Sequence, residues 1–225
     1  RTAQALGYRT VAVFSDADAD ALHFQMSDEA VNIRQAPVQQ SYLNIPAIID
    51  AARRTGADAI HPGYGFLSEN AGFALACRDA GITFIGPSPE AIELMGSKRL
   101  SKIAMIDAGV PCVKGYQGAE QDDATLSREA ERIGYPLMIK ASAGGGGRGM
   151  RLVQDARELL EQLRTARSEA QHGFGSDELI LEQALIDPRH VEVQLFGDQQ
   201  GNLIYLGERD CSIQRRHQKV IEEAP

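Results

Sequence analysis

The sequence is short of cysteine, of net positive charge and of long apolar runs. Its three cysteines, Cys77, Cys112 and Cys211, are odd in number and form no CxxC pair, which excludes a disulfide framework and a zinc site. The net charge of −8 provides no global positive field for a polyanion such as DNA. No apolar run approaches the roughly 18 residues that span a bilayer, and the N-terminus lacks the apolar segment of a secretory signal. We therefore expect a cytoplasmic protein with neither a nucleic-acid nor a membrane partner.

The composition that remains is that of an ordinary globular protein. Hydrophobic residues make up 43% and charged residues 24% of the chain. Its 225 residues suffice for one or two domains with a substantial core. The chain begins at Arg1 inside a predicted helix end and stops at Pro225 with no closing element, so we expect a piece of a longer protein.

The first half of the chain alternates helices with short apolar strands. The predicted helices cover 45–55, 71–80, 89–95 and 98–108, and the predicted strands cover 10–14, 58–60 and 82–85. Gly56 and Gly109 each end a helix, because a residue without Cβ adopts the left-handed conformation easily. This alternation predicts an α/β fold with a parallel sheet.

From residue 124 onward the pattern is that of an α+β domain. The predicted helices cover 124–133 and 156–170, and the predicted strands cover 137–140, 150–153, 179–182, 191–196 and 203–206. Asp155 and Glu158 have the spacing of a capping box, which favours a helix start there. The segment GDQQGN at 197–202 fits the turn of an antiparallel hairpin.

A run of four glycines between Lys140 and Met150 is the most informative segment. Four consecutive glycines cost conformational entropy on folding and provide no side chains to pack. Such a run is typical of a segment whose backbone N–H groups bind a ligand such as phosphate, or of a flap that moves. The run contains GxGxxG, but the dinucleotide fingerprint must open a helix and a strand follows here. No GxxxxGK[ST] P-loop is present. A flexible linker is the alternative, but it does not explain why Lys140 and Arg148 stand next to the glycines.

Two further segments carry unusual polar patterns. The stretch 208–219 is rich in donors, and if it is extended, Arg215, His217 and Lys219 share one anion-binding face. A solvated charged strand is the alternative. The glycine-rich segment 61–70 follows a predicted strand, where open α/β sheets bind ligands, although a purely structural turn would look the same.

Six segments together resemble the biotin carboxylase family. In chain order they are HPGYGFLSEN at 61–70, FIGP at 84–87, MGSK at 95–98, GGGGRGM at 144–150, PRHVE at 188–192 and ERDCSIQRRHQK at 208–219. Carbamoyl-phosphate synthetases and purine-pathway ATP-grasp enzymes share the fold of this family but not the last string. The resemblance implies an α/β preATP-grasp domain with a Rossmann-like sheet at 1–95, lacking its first strand, and a linker helix at 96–112. An ATP-grasp lid at 113–185 and the start of the main, α+β ATP-grasp domain at 186–225 would follow.

The resemblance also assigns site residues. Lys98 and Lys140 would bind the ATP phosphates, and Lys219 would be the catalytic residue that binds bicarbonate and the reacting phosphoryl group. The remaining nucleotide contacts would be Gly146, Gly147 and Met150 at the lid, Glu182, Gln183, Ala184 and Leu185 at an adenine-reading hinge, and His190, Gln214 and His217 near the ribose or phosphates. Ala143 departs from the pattern, because many relatives have a fifth glycine there.

The implied reaction is the ATP-dependent carboxylation of biotin with bicarbonate, through carboxyphosphate. It would use ATP and Mg²⁺, and its partners would be a biotin carboxyl carrier domain, a carboxyltransferase subunit and a second copy of the chain in a homo-oligomer. The family's magnesium-binding glutamates would lie beyond residue 225, so no metal ligand is expected here and the piece alone is expected to be inactive. The final acyl acceptor is not determined.

Other function classes compete with this interpretation. A non-catalytic ATP-binding regulatory module would need the phosphate lysines but not Lys219. Another ATP-grasp ligase, such as a carbamoyl-phosphate synthetase, would share the fold. A nicotinamide-dependent oxidoreductase could use the αβ repeats, but its fingerprint is missing.

Overall fold

The computed structural model describes residues 1–144, 149–215 and 218–224. The chain divides into two compact units, Arg1–Gly96 and Ser97–Pro225. The domain boundaries expected at residues 95, 112 and 185 stay predictions.

Unit 1, Arg1–Gly96, alternates helices and strands, as the sequence predicted. Its elements are α1 (Thr2–Ala5), β1 (Val11–Phe14), α2 (Leu22–Gln25), β2 (Glu29–Asn32), α3 (Ile45–Thr55), β3 (Ala59–Ile60), α4 (Ala71–Asp79), β4 (Thr83–Phe84) and α5 (Pro89–Gly96). Helix α3 has the predicted bounds, because Asn44 caps its first turn and Gly56, at φ 65°, ends it. The sequence analysis missed α2 and β2, whose four-residue lengths give too little periodicity to detect.

Parallel pairing organises the strands of unit 1, as the sequence predicted. Strand β1 pairs with β2, and β3 pairs with β4, both in parallel. One apolar cluster packs around Phe73 and Cys77 of α4, and a smaller cluster packs around Val31 of β2 and Ala51 of α3. Burial of these apolar surfaces stabilises the αβ layers.

Unit 2, Ser97–Pro225, is built around an antiparallel sheet. Its elements are α6 (Lys98–Asp107), β5 (Gly115–Tyr116), α7 (Asp123–Ile133), β6 (Leu137–Ala141), β7 (Met150–Val153), α8 (Leu159–Phe174), β8 (Leu179–Gln183), β9 (Val191–Gly197), β10 (Leu203–Asp210), β11 (Gln214–Arg215) and β12 (Gln218–Lys219). The order in the four-stranded sheet is β5, β8, β6, β7. Strands β9 and β10 form the predicted antiparallel hairpin, and β11 pairs with β12.

The core of unit 2 follows from strand periodicity. Leu137 and Ile139 of β6 are fully buried, together with Leu181 of β8 and Leu163 of α8. Successive side chains of a strand point to opposite faces, so Lys140 lies on the face of β6 away from Leu137 and Ile139. The apolar core therefore determines which face of the sheet carries the charged residues.

Helix α8 begins later than predicted. The expected start at residue 156 was wrong, because the Asp155 carboxylate accepts hydrogen bonds from both the backbone N–H and the guanidinium of Arg157 and holds a turn instead. The helix begins at Leu159 and runs on to Phe174, four residues past the predicted end at 170. Gly175, at φ 75°, ends it.

The segment 208–219 is not a single extended strand, so the predicted common face is wrong. After β10 the chain turns into the β11–β12 hairpin, in which Gln214 lies opposite Lys219 and Arg215 opposite Gln218. Residues directly opposite each other point to the same face of a sheet, so Lys219 lies with Gln214 and not with Arg215. His217 lies outside the described residues.

Over the residues that the structure describes, we find no helix with the length and apolar character needed to cross a membrane.

Candidate functional site

Three charged side chains of unit 2 form a tight group, named here the Glu182 cluster. Lys140 Nζ, on β6, lies 2.6 Å from Glu182 Oε2, on β8. Lys102 Nζ, on α6, lies 2.7 Å from Glu182 Oε1. The side chains of Lys102 and Glu182 are 8% and 14% exposed, whereas that of Lys140 is 26% exposed. One carboxylate is thus held between two ammonium groups, of which only Lys140 reaches toward solvent.

The electrostatics of this cluster keep Glu182 ionised. Burial by itself raises the pKa of Glu182, but the hydrogen bonds from Lys102 and Lys140 outweigh it and bring the pKa below its ordinary value. Two ammonium groups and one carboxylate leave one net positive charge. This charge favours an anionic ligand beside Lys140.

Lys98 adds a second partly exposed cation beside the glycine run. It opens α6, where Ser97 Oγ accepts a hydrogen bond from Leu100 N at 3.2 Å as the helix cap. The backbone N–H of Lys98 donates to Ser142 O at 2.8 Å, and its Nζ donates to the carbonyl oxygens of Ala143 and Gly144. Burial lowers the pKa of Lys98, and the positive charge of Lys140 lowers it further. Two neighbouring ammonium groups that repel each other are a place where phosphate oxygens bind well.

Residues at the two borders of the glycine run, Gly144 and Met150, have defined contacts. Gly144 has φ 78°, in the left-handed region, and a Cβ there would collide with the ring of Phe174. Across the strands, Met150 lies opposite Lys140 in the β6–β7 pairing. The strand that follows the glycine run therefore begins opposite Lys140. Gly146 and Gly147 lie outside the described residues.

A second group of charged side chains lies at the β9–β10 hairpin and is named here the Glu192 cluster. Its members are His190, Glu192, Arg209 and Lys219. Glu192 of β9 forms an ion pair with Lys219 of β12. Its Oε2 lies 3.1 Å from Arg209 Nη2, and its Oε1 lies 3.1 Å from His190 Nε2. Hydrogen bonds from Lys219 and Arg209 lower the pKa of Glu192. In return, the hydrogen bond to Glu192 raises the pKa of Lys219, so this lysine stays an ammonium group at neutral pH.

Gln214 connects two of the predicted site residues. Its Nε2 lies 2.6 Å from His190 Nδ1 and donates to Cys211 O at 2.9 Å. Lys219 lies opposite Gln214 in the β11–β12 hairpin. The structure thus places His190, Gln214 and Lys219 within one neighbourhood.

The predicted hinge continues directly from the Glu182 cluster. The N–H of Gln183 donates to Lys114 O at 2.9 Å, and the N–H of Ala184 donates to Pro136 O at 3.0 Å. These two amides therefore hold the end of β8 in place and are not directed at a ligand. Leu185 follows with a side chain that is 56% exposed.

Sequence reasoning missed three members of these clusters, namely Lys102, Glu192 and Arg209. Two of them had a signal. Lys102 stands four residues after Lys98, so the two lysines share one face of α6. Glu192 stands two residues after His190, which places both on one face of an extended chain.

In the ranges that the structure describes, no three His, Cys, Asp or Glu side chains come close enough together to hold a metal ion.

An antiparallel sheet that carries lysines beside a glycine run defines a protein of the ATP-grasp class. The comparisons agree: residues 1–92 match the family described as biotin carboxylase, N-terminal domain, and residues 97–225 match carbamoyl-phosphate synthase L chain, ATP binding domain. The chain belongs to the biotin carboxylase family.

Individual relatives extend this result. The chain is 58% identical to the mitochondrial methylcrotonoyl-CoA carboxylase subunit alpha of Oryza sativa subsp. japonica, over all of this chain and 30% of that protein. It superposes on a biotin carboxylase–βγ-ATP complex from Campylobacter jejuni with a TM-score of 0.96 and 49% identity, over 100% of this chain and 50% of that one.

A second solved structure is similar to the same extent. It is the biotin carboxylase domain dimer of Hydrogenobacter thermophilus 2-oxoglutarate carboxylase with MgADP, ADP and bicarbonate, with a TM-score of 0.94 and 49% identity over 99% of this chain and 49% of that one. The chain therefore spans between about a third and a half of the proteins that it matches.

Proposed function

We propose that the chain forms part of the site at which a biotin carboxylase uses ATP and bicarbonate to carboxylate biotin on a carrier domain. The observation that carries this proposal is the placing of Lys98 and Lys140 beside the glycine run, on a cluster with net positive charge. A lysine ammonium is a compact point charge suited to phosphate oxygens. Phosphoryl transfer depends mainly on positioning and charge stabilisation, which such groups supply.

In this proposal the ATP phosphates bind between Lys98 and Lys140, and the glycine run with Gly146 and Gly147 covers them. The adenine lies against the segment 182–185. Because the N–H groups of Gln183 and Ala184 already donate to backbone carbonyls, the N–H of Leu185 is the next backbone donor along this segment that can bind the base.

Lys219 acts on the second substrate. A bicarbonate oxygen attacks the γ-phosphorus, the bond to the ADP oxygen breaks, and carboxyphosphate forms. Lys219 holds the bicarbonate and the charge that develops on the phosphoryl group, while His190 and Gln214 orient the same site. Carboxyphosphate then yields carbon dioxide and phosphate, the phosphate removes the proton of the biotin ureido nitrogen, and the biotin anion captures carbon dioxide.

The Hydrogenobacter thermophilus domain was solved with MgADP. In the part of this chain that the structure describes, no three metal-ligating side chains come together, so magnesium would enter this site bound to the ATP phosphates.

The partners follow from the same chemistry. Carboxybiotin must be formed on a biotin carboxyl carrier domain and consumed by a carboxyltransferase subunit. A homo-oligomer accords with the dimer of the Hydrogenobacter thermophilus domain. Relatives with different acceptors, methylcrotonoyl-CoA and 2-oxoglutarate carboxylases, have similar identities, so the proposal names no acceptor. The cytoplasmic location stays a prediction, since the Oryza sativa relative is mitochondrial.

The test is phosphate release from ATP by a chain extended to the full length of the biotin carboxylase relatives. Release that requires bicarbonate and rises with added biotin supports the proposal. ATP binding without release would favour a regulatory module, and release that rises with ammonia but not biotin would favour a carbamoyl-phosphate synthetase.

A further inference from the structure

Lys102 has no role in the proposed reaction, yet it is the most deeply buried charged side chain among the described residues. A buried ammonium is costly unless it is paired. Its partner, Glu182, is also paired with Lys140 through the other carboxylate oxygen. The two lysines differ in exposure to solvent, since the side chain of Lys140 is 26% exposed and that of Lys102 only 8% exposed.

The surrounding backbone is shaped to admit Lys102. Gly115 of β5 lies directly opposite Glu182 of β8, and a Cβ at this position would lie 2.8 Å from Lys102 Nζ. A side chain on residue 115 would therefore displace the ammonium from the carboxylate. The absence of a side chain at residue 115 thus leaves room for the Lys102 ammonium next to Glu182, an observation separate from the ion pair itself.

We propose that Lys102 is a positioning residue that keeps Glu182 paired while Lys140 moves from Glu182 to a phosphate oxygen of ATP. Resting on the proposed function, this inference explains why one carboxylate needs two lysines. Without Lys102, the movement of Lys140 to a phosphate would leave the buried Glu182 carboxylate with no positively charged partner. With Lys102 in place, Lys140 can move without that penalty.

The inference predicts a specific dependence on pH. Among the described residues, the charged groups that face Glu182 are Lys102 from α6 and Lys140 from β6, with Lys98 of α6 close enough to interact with both Lys140 and Glu182. In Lys102→Met, Glu182 must take up a proton when Lys140 leaves it. ATP affinity of this variant should therefore be about tenfold weaker at pH 8 and should improve as the pH falls toward 6.

The experiment is a titration of ATP binding by calorimetry between pH 6 and 8, in a chain extended to the length of the relatives. Arg99→Met is the matched control, because Arg99 lies on the same helix and loses an ion pair with Glu178 (2.7 Å) that does not involve Lys140. We expect the control to bind ATP as the unsubstituted chain does, and Lys102→Arg to restore most of the affinity. A folded Lys102→Met that binds ATP normally at every pH would overturn the inference.

A double variant covers the case in which Lys102→Met does not fold. Glutamine needs no counter-charge, so Lys102→Met with Glu182→Gln should fold and bind ATP as Glu182→Gln alone does. A double variant that fails to fold, or binds tenfold weaker than Glu182→Gln, would show that Lys102 acts through something other than Glu182 and would overturn the inference. Failure of the unsubstituted chain to bind ATP would instead count against the proposed function.

Discussion

Gly115 lies directly opposite Glu182 in the antiparallel pairing of β5 with β8, and the carbonyl oxygen of Leu181 occupies the space that a Cβ of residue 115 would need. The close approach of the two strands, and the position of Lys102 Nζ next to Gly115, therefore depend on the absence of a side chain. A single glycine thus connects the pairing of the sheet with the electrostatics of the Glu182 cluster.

Gly115→Ala should destabilise unit 2. Its methyl group would meet backbone that cannot move away without breaking the β5–β8 pairing, so we expect a loss of about 1–3 kcal/mol in the free energy of unfolding. Denaturant unfolding measures this. Gly173→Ala is the control: residue 173 lies in helix α8 with open space around it, and alanine there should stabilise by about 0.5–1 kcal/mol. Equal stability of the two variants would contradict the packing argument.

Lys140→Met should weaken ATP binding about tenfold or more, because it removes a charge-assisted hydrogen bond to phosphate. The fold should persist, since Glu182 keeps Lys102 as its partner. Calorimetric titration with ATP measures the affinity. Lys114→Met is the control, because Lys114 Nζ donates only to the carbonyls of Arg132 and Ile133, at 2.7 and 3.1 Å, in the described contacts. Unchanged affinity of Lys140→Met would place the phosphates elsewhere.

Lys219→Ala should lower bicarbonate-dependent ATP cleavage by roughly a hundredfold or more while ATP affinity changes little. The ammonium acts on bicarbonate and on the charge that develops in the transition state, so its loss raises the barrier more than it weakens nucleotide binding. Phosphate release and ATP titration, done on the same preparation, separate the two effects. Turnover like that of the unsubstituted enzyme would show that the β11–β12 hairpin is only a solvated charged surface.

The β9–β10 hairpin should lose stability in acid. Hydrogen bonds from Ser212 and Arg189 lower the pKa of Asp210 to about 2. A carboxyl group whose pKa is lower in the folded state stabilises the fold above its unfolded value of about 3.9, and this contribution disappears as the pH falls from there toward 2. A carboxyl carbon NMR titration of Asp210 measures the shift.

Two variants make this acid test specific. Arg189→Ala should raise the pKa of Asp210 only partway, because the backbone N–H of Ser212 still donates to Asp210 Oδ1 at 2.9 Å. Asp210→Asn should remove this part of the pH dependence of unfolding. A titration of Asp210 at its ordinary pKa in the unsubstituted chain would refute the assignment.

Local signals in the sequence determined many of the helices and strands of this protein and the family to which it belongs. The helix predicted over 45–55, ended by Gly56, is helix α3 (Ile45–Thr55), because the signals that bound a helix act within a few residues of chain. The hairpin predicted from the turn segment 197–202 between two strands is the β9–β10 hairpin. The motif strings were long enough to identify the family, and the resemblance assigned Lys98, Lys140 and Lys219 to the site.

Only the tertiary structure decided which of these charges meet. Glu182 is separated from Lys140 by 42 positions and from Lys102 by 80, and no local pattern brings them together. Their contact follows from the β6–β8 register and from the packing of α6, both set by burial of the apolar core. In the same way, the antiparallel pairing of β11 with β12 placed Lys219 beside Gln214. Strand pairing joins residues that are distant in sequence, and only the folded chain reveals their register.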